Sequence, residues 1–224
     1  HREELPTDDW DAGIFDALRD LGGELFDADT DLFAELSSTE QLHPITVEVG
    51  ADEILPEEIE AIQNGIWRYG FEVLGFYKSY RYVDRKPFPG RWGIFVPRSA
   101  ISFIADDIMG WYLGQFSQEE AATKALKMIH AHERFHFRFD AWALHLEEAA
   151  GKALYEAYKK CVYQNLYPHP LVVEESLANN HAYRSMRGEG ISEFLRYFMD
   201  SQPGAYREYQ ERTDKYHEGA EINR

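Results

Sequence analysis

The sequence has very little cysteine and no long apolar run. Cys161 is the only cysteine among 224 residues, which excludes an intramolecular disulfide. It falls in a stretch of helical character, residues 152–163, and we expect it to be a small packing residue. No run of about 18 apolar residues occurs, so the sequence predicts no transmembrane helix.

Positive charge is also scarce. The chain carries 23 lysines and arginines against 40 aspartates and glutamates, a formal net charge of −17 at pH 7. A field of that sign disfavours binding to nucleic acid or to an anionic membrane surface. No signal-peptide pattern occurs in the sequence as given, and we expect a cytoplasmic location.

Apolar and aromatic residues are plentiful. Aromatic side chains make up 15% of the residues and hydrophobic ones 44%, which indicates a folded globular protein. A length of 224 residues suits one domain with or without an appendage. We interpret residues 1–42, which are acidic and predict short helices, as an N-terminal appendage to a domain formed by residues 43–224.

Residues 132–136 read H-E-R-F-H, an instance of the pattern H-E-x-x-H. Side chains four residues apart lie on one face of a helix, so His132 and His136 are placed to bind the same zinc ion. Glu133 lies near that face and is placed to act on a water molecule as a general base. The chain contains nine histidines, so chance and ordinary core packing are the alternative explanation.

The motif lies inside a long predicted helix. Ser117 and Glu120 have the spacing of a capping box, in which two side chains bind the first unpaired amides of a helix. Residues 118–150 contain no proline and no glycine, and Gly151 then provides a stop. The sequence therefore predicts a helix over 118–150 with the motif in its middle.

A catalytic zinc site needs a third protein ligand and one open position. Residues 171–186 have helical character, and within them Glu175 and Asn179 share a face. Glu175 is our candidate for the third ligand. Asn179 is our candidate for a hydrogen bond that fixes the tautomer of one zinc histidine.

Four other side chains are weaker candidates for the third ligand. Glu174 would point about 100° away from its neighbour around the helix. Asp140 lies one turn past the second histidine of the motif, and we expect it to pair with an arginine or to orient a histidine. His181 and His130 lie on other faces, and ordinary packing is the simpler interpretation for both.

H-E-x-x-H followed by a helix that carries a ligand glutamate resembles the gluzincin branch of the zincin metallopeptidases. Residues 175–182 read E-S-L-A-N-N-H-A and are similar to the E-x-x-A-N-x-x-A segment of the ImmA/IrrE-like peptidases. Those are intracellular bacterial proteins that cut regulatory partners. The resemblance covers roughly residues 118–186.

This resemblance implies one Zn²⁺ per chain, held by His132, His136 and Glu175, with Glu133 as the general base. A zinc peptidase also needs a donor for the oxyanion of its tetrahedral intermediate. Tyr183, two turns past the third ligand, is our candidate for that donor.

The predicted elements give an α+β fold of zincin-like layout. A small twisted sheet, mainly N-terminal (residues 43–105), packs on the central helix and is followed by a helical half (residues 152–224). Strands are predicted at residues 45–49, 71–83 and 92–96. Helices are predicted at residues 56–69, 152–166, 171–186, 191–199 and 206–216, besides the central one. In the family that the chain resembles, an edge strand pairs with the substrate backbone, and residues 93–96 or 99–104 are our candidates for that edge. An ordinary core strand is the alternative interpretation of these residues.

The leading hypothesis is an intracellular zinc metallopeptidase that hydrolyses peptide bonds of a protein substrate, for which the resemblance suggests a dedicated regulator. The alternative is a catalytically silent zincin-fold module that binds protein partners, since Arg134 and Phe135 would fit a reshaped site. A di-iron helical bundle also contains Glu-x-x-His, but the predicted strands argue against it. We expect no nucleic-acid or membrane partner.

Overall fold

The fold is mainly helical with one small sheet, an α+β arrangement. The computed structural model describes residues 46–49, 56–82, 84, 91–160 and 173–209. These residues belong to one compact unit, which spans Pro44–Gly219. The predicted appendage (residues 1–42), its boundary with the domain and Cys161 lie outside the described residues.

The described residues form three strands and six α-helices. The strands are β1 (Thr46–Val49), β2 (Phe76–Lys78) and β3 (Gly93–Pro97). The α-helices are α1 (Pro56–Tyr69), α2 (Arg98–Trp111), α3 (Gln118–Ala150), α4 (Leu154–Tyr158), α5 (Val173–Ser185) and α6 (Ser192–Asp200). Short 3₁₀ helices lie at Gly70–Val73, Tyr80–Tyr82 and Gly204–Tyr209.

The central helix α3 begins and ends at the residues that the sequence predicts. Ser117 Oγ accepts a hydrogen bond from the backbone amide of Glu120 at 3.2 Å, and Glu120 Oε2 accepts one from the amide of Ser117 at 2.8 Å. Gly151 ends the helix in the left-handed conformation, with φ 61°. The predicted capping box and stop are therefore confirmed.

The sheet has the order β1-β3-β2, with β1 parallel and β2 antiparallel to β3. Ile94, Phe95 and Val96 of β3 have no exposed surface, because β3 has a strand on each side and packs against α2 and α3. The prediction that residues 93–96 form an edge strand is wrong. β3 is the central strand of the sheet that the described residues form.

The alternative edge, residues 99–104, is also wrong because these residues lie in α2. The buried side chains Ala100, Phe103, Ile104 and Ile108 recur every three to four residues, which is the period of a helix with one face in the core. Residues 99–104 alone are too short to reveal that period, since a short apolar run is compatible with a helix or a strand.

The long strand predicted for residues 71–83 is wrong as well. Gly70 has φ +62° and turns the chain into a 3₁₀ helix, and β2 is the only strand among the described residues of this stretch. Phe71 and Leu74 are fully buried, so this apolar stretch packs into the core of the unit without being extended. Tertiary burial has overridden the local strand preference of aromatic residues.

A buried ionic network fixes the segment after β2 to the second half of α3. Asp140 Oδ2 accepts hydrogen bonds from the hydroxyls of Tyr77 and Ser79. Arg81 Nε donates to Asp140 Oδ1 at 2.6 Å, and Arg81 Nη1 donates to Glu147 Oε2 at 2.5 Å. Asp140 thus pairs with an arginine, one of the two roles that we expected for it.

Asp140→Asn is expected to lower the free energy of unfolding by about 3 kcal/mol, because it leaves the partly buried Arg81 without one of its two counter-charges. Urea unfolding followed by circular dichroism measures the change. Asp106→Asn, on the exposed side of α2, is the control and should stay within about 0.5 kcal/mol of the parent. Equal stability of the two variants would contradict the role of the network.

The C-terminal half is helical where it is described. The predicted helix 152–166 is seen as α4, and its part beyond residue 160 lies outside the described residues. The predicted helix 206–216 begins as the 3₁₀ helix Gly204–Tyr209, and the remainder again lies outside. No helix among the described residues has the length and apolar character that a membrane crossing requires.

Candidate metal centre

Three buried side chains from α3 and α5 converge on one point. His132 Nε2 lies 3.3 Å from His136 Nε2. Glu175 Oε2 lies 3.4 Å from the first of these nitrogens and 3.6 Å from the second. His132, His136 and Glu175 are 1%, 6% and 0% exposed. The three form a group that could hold a metal ion.

The imidazole of His132 packs beside two aromatic rings. Phe71 stacks on it with ring centroids 4.2 Å apart and planes inclined by 8°, and the centroid of the Tyr206 ring lies 6.1 Å away with its plane inclined by 24°. Both aromatic side chains are fully buried. The turn at Gly70 brings Phe71 there, and a methyl group at Gly70 would lie 2.5 Å from the Tyr206 ring. Only glycine fits that position.

Asn179 fixes the tautomer of His132. The side-chain amide of Asn179 donates to the backbone carbonyl of Tyr206 at 2.9 Å, and a carbonyl can only accept. The Asn179 oxygen therefore faces His132 and accepts a hydrogen bond from Nδ1 at 2.9 Å. With its proton on Nδ1, His132 presents the lone pair of Nε2 to the other two members of the group.

His136 has a charged partner in the same position. Its Nδ1 donates to Glu174 Oε1 at 2.7 Å, and Lys159 Nζ donates to the same oxygen at 3.2 Å. Glu174 is almost fully buried. A carboxylate behind a histidine raises the basicity of the nitrogen that faces a metal ion.

The orientation of the two histidines leaves three electron-rich atoms facing one another. Both Nδ1 atoms donate outward, so both Nε2 lone pairs and the Glu175 carboxylate meet at a buried position. Such a cluster requires a positive charge at its centre, either a proton or a cation.

The pKa shifts of the three side chains agree with a need for positive charge at this position. Burial lowers the pKa of His132 below its ordinary 6.5. Burial also opposes protonation of His136, but the nearby carboxylates of Glu175 and Glu174 outweigh it and raise the pKa of His136 well above 6.5. Despite its own burial, the pKa of Glu175 is held well below its usual range by His136 and His132. Without a metal ion, these shifts favour a proton on His136 and an ionised carboxylate on Glu175.

Metal binding at pH 7 is expected to release about one proton per ion, because an ion must displace the proton of His136 to reach its lone pair. Titration calorimetry of the metal-free protein in two buffers of different ionisation enthalpy measures this number. The release should shrink as the pH rises above the raised pKa of His136. A buffer-independent enthalpy at pH 7 would contradict the assignment.

Glu133 is buried beside the motif histidines and close to the start of β2. A methyl group at Gly75 would lie 3.6 Å from Glu133 Cγ, 2.8 Å from Ile129 Cγ2 and 3.2 Å from the Phe95 carbonyl oxygen. Glycine at position 75 thus lets the backbone before β2 approach α3 next to Glu133. Its role as the general base stays a prediction.

Other predicted site residues take different places. Tyr183 Oη accepts a hydrogen bond from Arg196 at 3.5 Å, its ring packs on that of Tyr209, and its oxyanion role stays a prediction. His181 packs beside Phe135, with ring centroids 6.1 Å apart. Glu174 does point away from the converging group, but it bonds to His136.

Sequence reasoning missed the function of Glu174 and the two stacking rings. A signal for Glu174 was available, because each metal histidine needs an acceptor on its second nitrogen and Asn179 could serve only one of them. Adjacent glutamates on α5 point in directions about 100° apart, so one can face the converging atoms while the other reaches behind a ring. Phe71 and Tyr206 carried no such signal, since they are distant in sequence.

No protein-family model matches the chain, and comparison with curated proteins and with solved structures also found no match. The functional interpretation therefore depends on the residues of this centre.

Proposed function

We propose that this chain is a zinc metallopeptidase of zincin-like fold that hydrolyses peptide bonds of a protein substrate. The observation that carries the proposal is the triangle of donor atoms from His132, His136 and Glu175, with sides of 3.3, 3.4 and 3.6 Å. A tetrahedral zinc ion with bonds of 2.0–2.1 Å needs ligand atoms about 3.3–3.4 Å apart.

The donor set also suits zinc. Two histidine nitrogens and one carboxylate oxygen are a known ligand set of catalytic zinc, with the fourth position left for water or substrate. Asn179 and Glu174 supply the outer hydrogen bonds that such histidines make. The sequence H-E-x-x-H on a capped helix and the glutamate on a second helix agree with the resemblance to gluzincins.

Zinc bound at this centre would polarise the scissile carbonyl and lower the pKa of a water molecule. Glu133 would accept the proton of that water and pass it to the departing amine. Its burial excludes bulk water from the proton transfer. Phe71, Asn179 and Glu174 would hold the two imidazoles in place during these steps.

The burial of the group favours a second candidate, a metal-binding module that interacts with proteins without cutting them. The three side chains of the triangle are at most 6% exposed. Such a module would bind the ion as tightly as the enzyme but would cleave no peptide. We place this module second because a protein that cuts no peptide does not require a glutamate at position 133.

The test is metal-dependent cleavage. We expect purified protein to contain about one zinc ion per chain and to cleave members of a peptide library. A chelator should stop the cleavage, and Glu133→Gln should lack it. Stoichiometric zinc without turnover of any peptide would reject the peptidase in favour of the silent module.

A further inference from the structure

Three arginines and one histidine lie close together on α3 and α5, the two helices that carry the metal centre. Arg134 and Arg138 are one turn apart on α3, and His181 and Arg184 are about one turn apart on α5. The His181 ring lies 6.1 Å from that of Phe135, so the two pairs meet where the helices pack together. We call the three arginines that surround His181, namely Arg134, Arg138 and Arg184, the cationic face.

The arginines of this face have no acidic partner among the described residues. Three lysines on the same helices or close to them do have acidic partners: Lys124 and Lys127 pair with Glu189, and Lys159 pairs with Glu174. No salt bridge of the described part of the chain includes an arginine of the face.

The helix rows that continue the face also lack carboxylates. On α3, the residues one turn before and after the arginine pair are His130, Ala131, Ala141 and Trp142. On α5 and just beyond it, the corresponding positions hold Leu177, Ala178, Arg187 and Gly188. In a chain with a net charge of −17, these rows of the described helices thus contain no acidic residue.

The pKa of His181 agrees with an excess of positive charge at the face. Burial and the surrounding arginines, Arg138 first among them, lower the pKa of His181 to about 4. The exposed Arg184 and the half-buried Arg134 and Arg138 are in reach of a ligand, and partial burial strengthens their attraction for an anion.

We propose that the cationic face binds an acidic segment of a polypeptide. That this polypeptide is the substrate of the metal centre rests on the proposed function. Arginine binds carboxylates with two parallel hydrogen bonds, and the spacing of Arg134 and Arg138 suits successive acidic side chains. Both lie two residues from His136 on α3, about 200° around the helix axis, so the face lies on another side of the helix that carries the two metal histidines.

A nucleic acid is the weaker choice for this surface. The negative field of the whole chain repels a long polyanion, whereas a short acidic run contacts only the face. Half-buried aromatic side chains, Phe135 and Phe139, border the arginines on α3 and offer contacts to a peptide.

The experiment measures fluorescence anisotropy of a labelled hexaglutamate peptide with the full chain carrying Glu133→Gln, which prevents cleavage of the probe. Adding Arg134→Gln, Arg138→Gln and Arg184→Gln should weaken binding by about tenfold or more at low ionic strength. Binding to the parent should also weaken as ionic strength rises from about 0.01 M to about 0.15 M, where the Debye length shrinks from ~30 Å to ~8 Å.

The matched control removes the same charge elsewhere, with Arg91→Gln, Lys152→Gln and Lys160→Gln on exposed positions. It should bind hexaglutamate within about twofold of the parent. Equal weakening by both triple variants would overturn the proposal, because bulk charge would then explain the binding. So would no binding of the peptide to the parent, or tighter binding of an oligothymidylate of equal charge.

The experiments distinguish an error in the proposed binding of acidic peptides from an error in the proposed peptidase function. If the chain binds hexaglutamate through the face but cleaves no peptide, the face stands and the peptidase is rejected. If the chain cleaves peptides without preferring acidic ones, and the face variant cleaves and binds like the parent, the peptidase stands and the face is rejected.

Discussion

Glu175→Ala is expected to lower the affinity for zinc by more than about 100-fold, since loss of an outer hydrogen bond alone costs up to that factor. The substitution removes the only carboxylate of the converging triangle and leaves two nitrogens from one helix. It also removes the link that an ion makes between α3 and α5. Competition with a chromophoric chelator, together with metal analysis of the purified protein, measures the change.

Two matched variants test whether the loss of zinc affinity is specific to Glu175. One removes a negative charge from α6 and the other removes one from α5. Glu193→Ala makes the same substitution on the exposed side of α6 and should leave zinc affinity unchanged. Glu174→Gln keeps all three ligands and should weaken binding by about 10- to 100-fold, because His136 loses its charged partner. If the Glu175→Ala variant still bound one zinc ion tightly per chain, the proposed metal centre would be rejected.

Glu133→Gln is expected to abolish peptide cleavage while metal content and fold are retained. The amide has the size of the carboxylate but cannot take a proton from water, so the loss should reach about 10³-fold or more. Glu133 is not part of the triangle, and zinc affinity should therefore stay near that of the parent. Cleavage of a quenched fluorescent peptide, measured beside zinc content and thermal unfolding, provides the test.

Glu148→Gln is the control for this change, since Glu148 is exposed near the end of the same helix. It should cleave at the rate of the parent. Residual cleavage by Glu133→Gln at more than about a tenth of that rate would reject the residue as the base, because general bases contribute 10²-fold or more.

Local signals in the sequence were sufficient to predict the framework of the centre. The capping box at Ser117, the uninterrupted helix formers and the stop at Gly151 are properties of adjacent residues, and they set the bounds of α3. Helical spacing then places two histidines on one face. The spacing of Glu175 and Asn179 on α5 works in the same way.

Features that depend on contacts between distant residues were not predictable. The turn that carries Phe71 onto His132 is decided by burial and by the close approach of Gly70 to Tyr206. The same is true of the place of β3 in the middle of the sheet, which depends on pairing with β1 and β2. A single sequence contains no local trace of either partner.

The position of the converging side chains has a consequence for the unfolded chain. His136 and Glu175 are 39 residues apart in the sequence, and an ion bound to both would close the intervening loop as a covalent cross-link does. In the loop-entropy description, a cross-link of that length restricts the unfolded ensemble by about 4 kcal/mol. A chain with a single cysteine could thus gain from one ion the restraint that secreted proteins obtain from a disulfide.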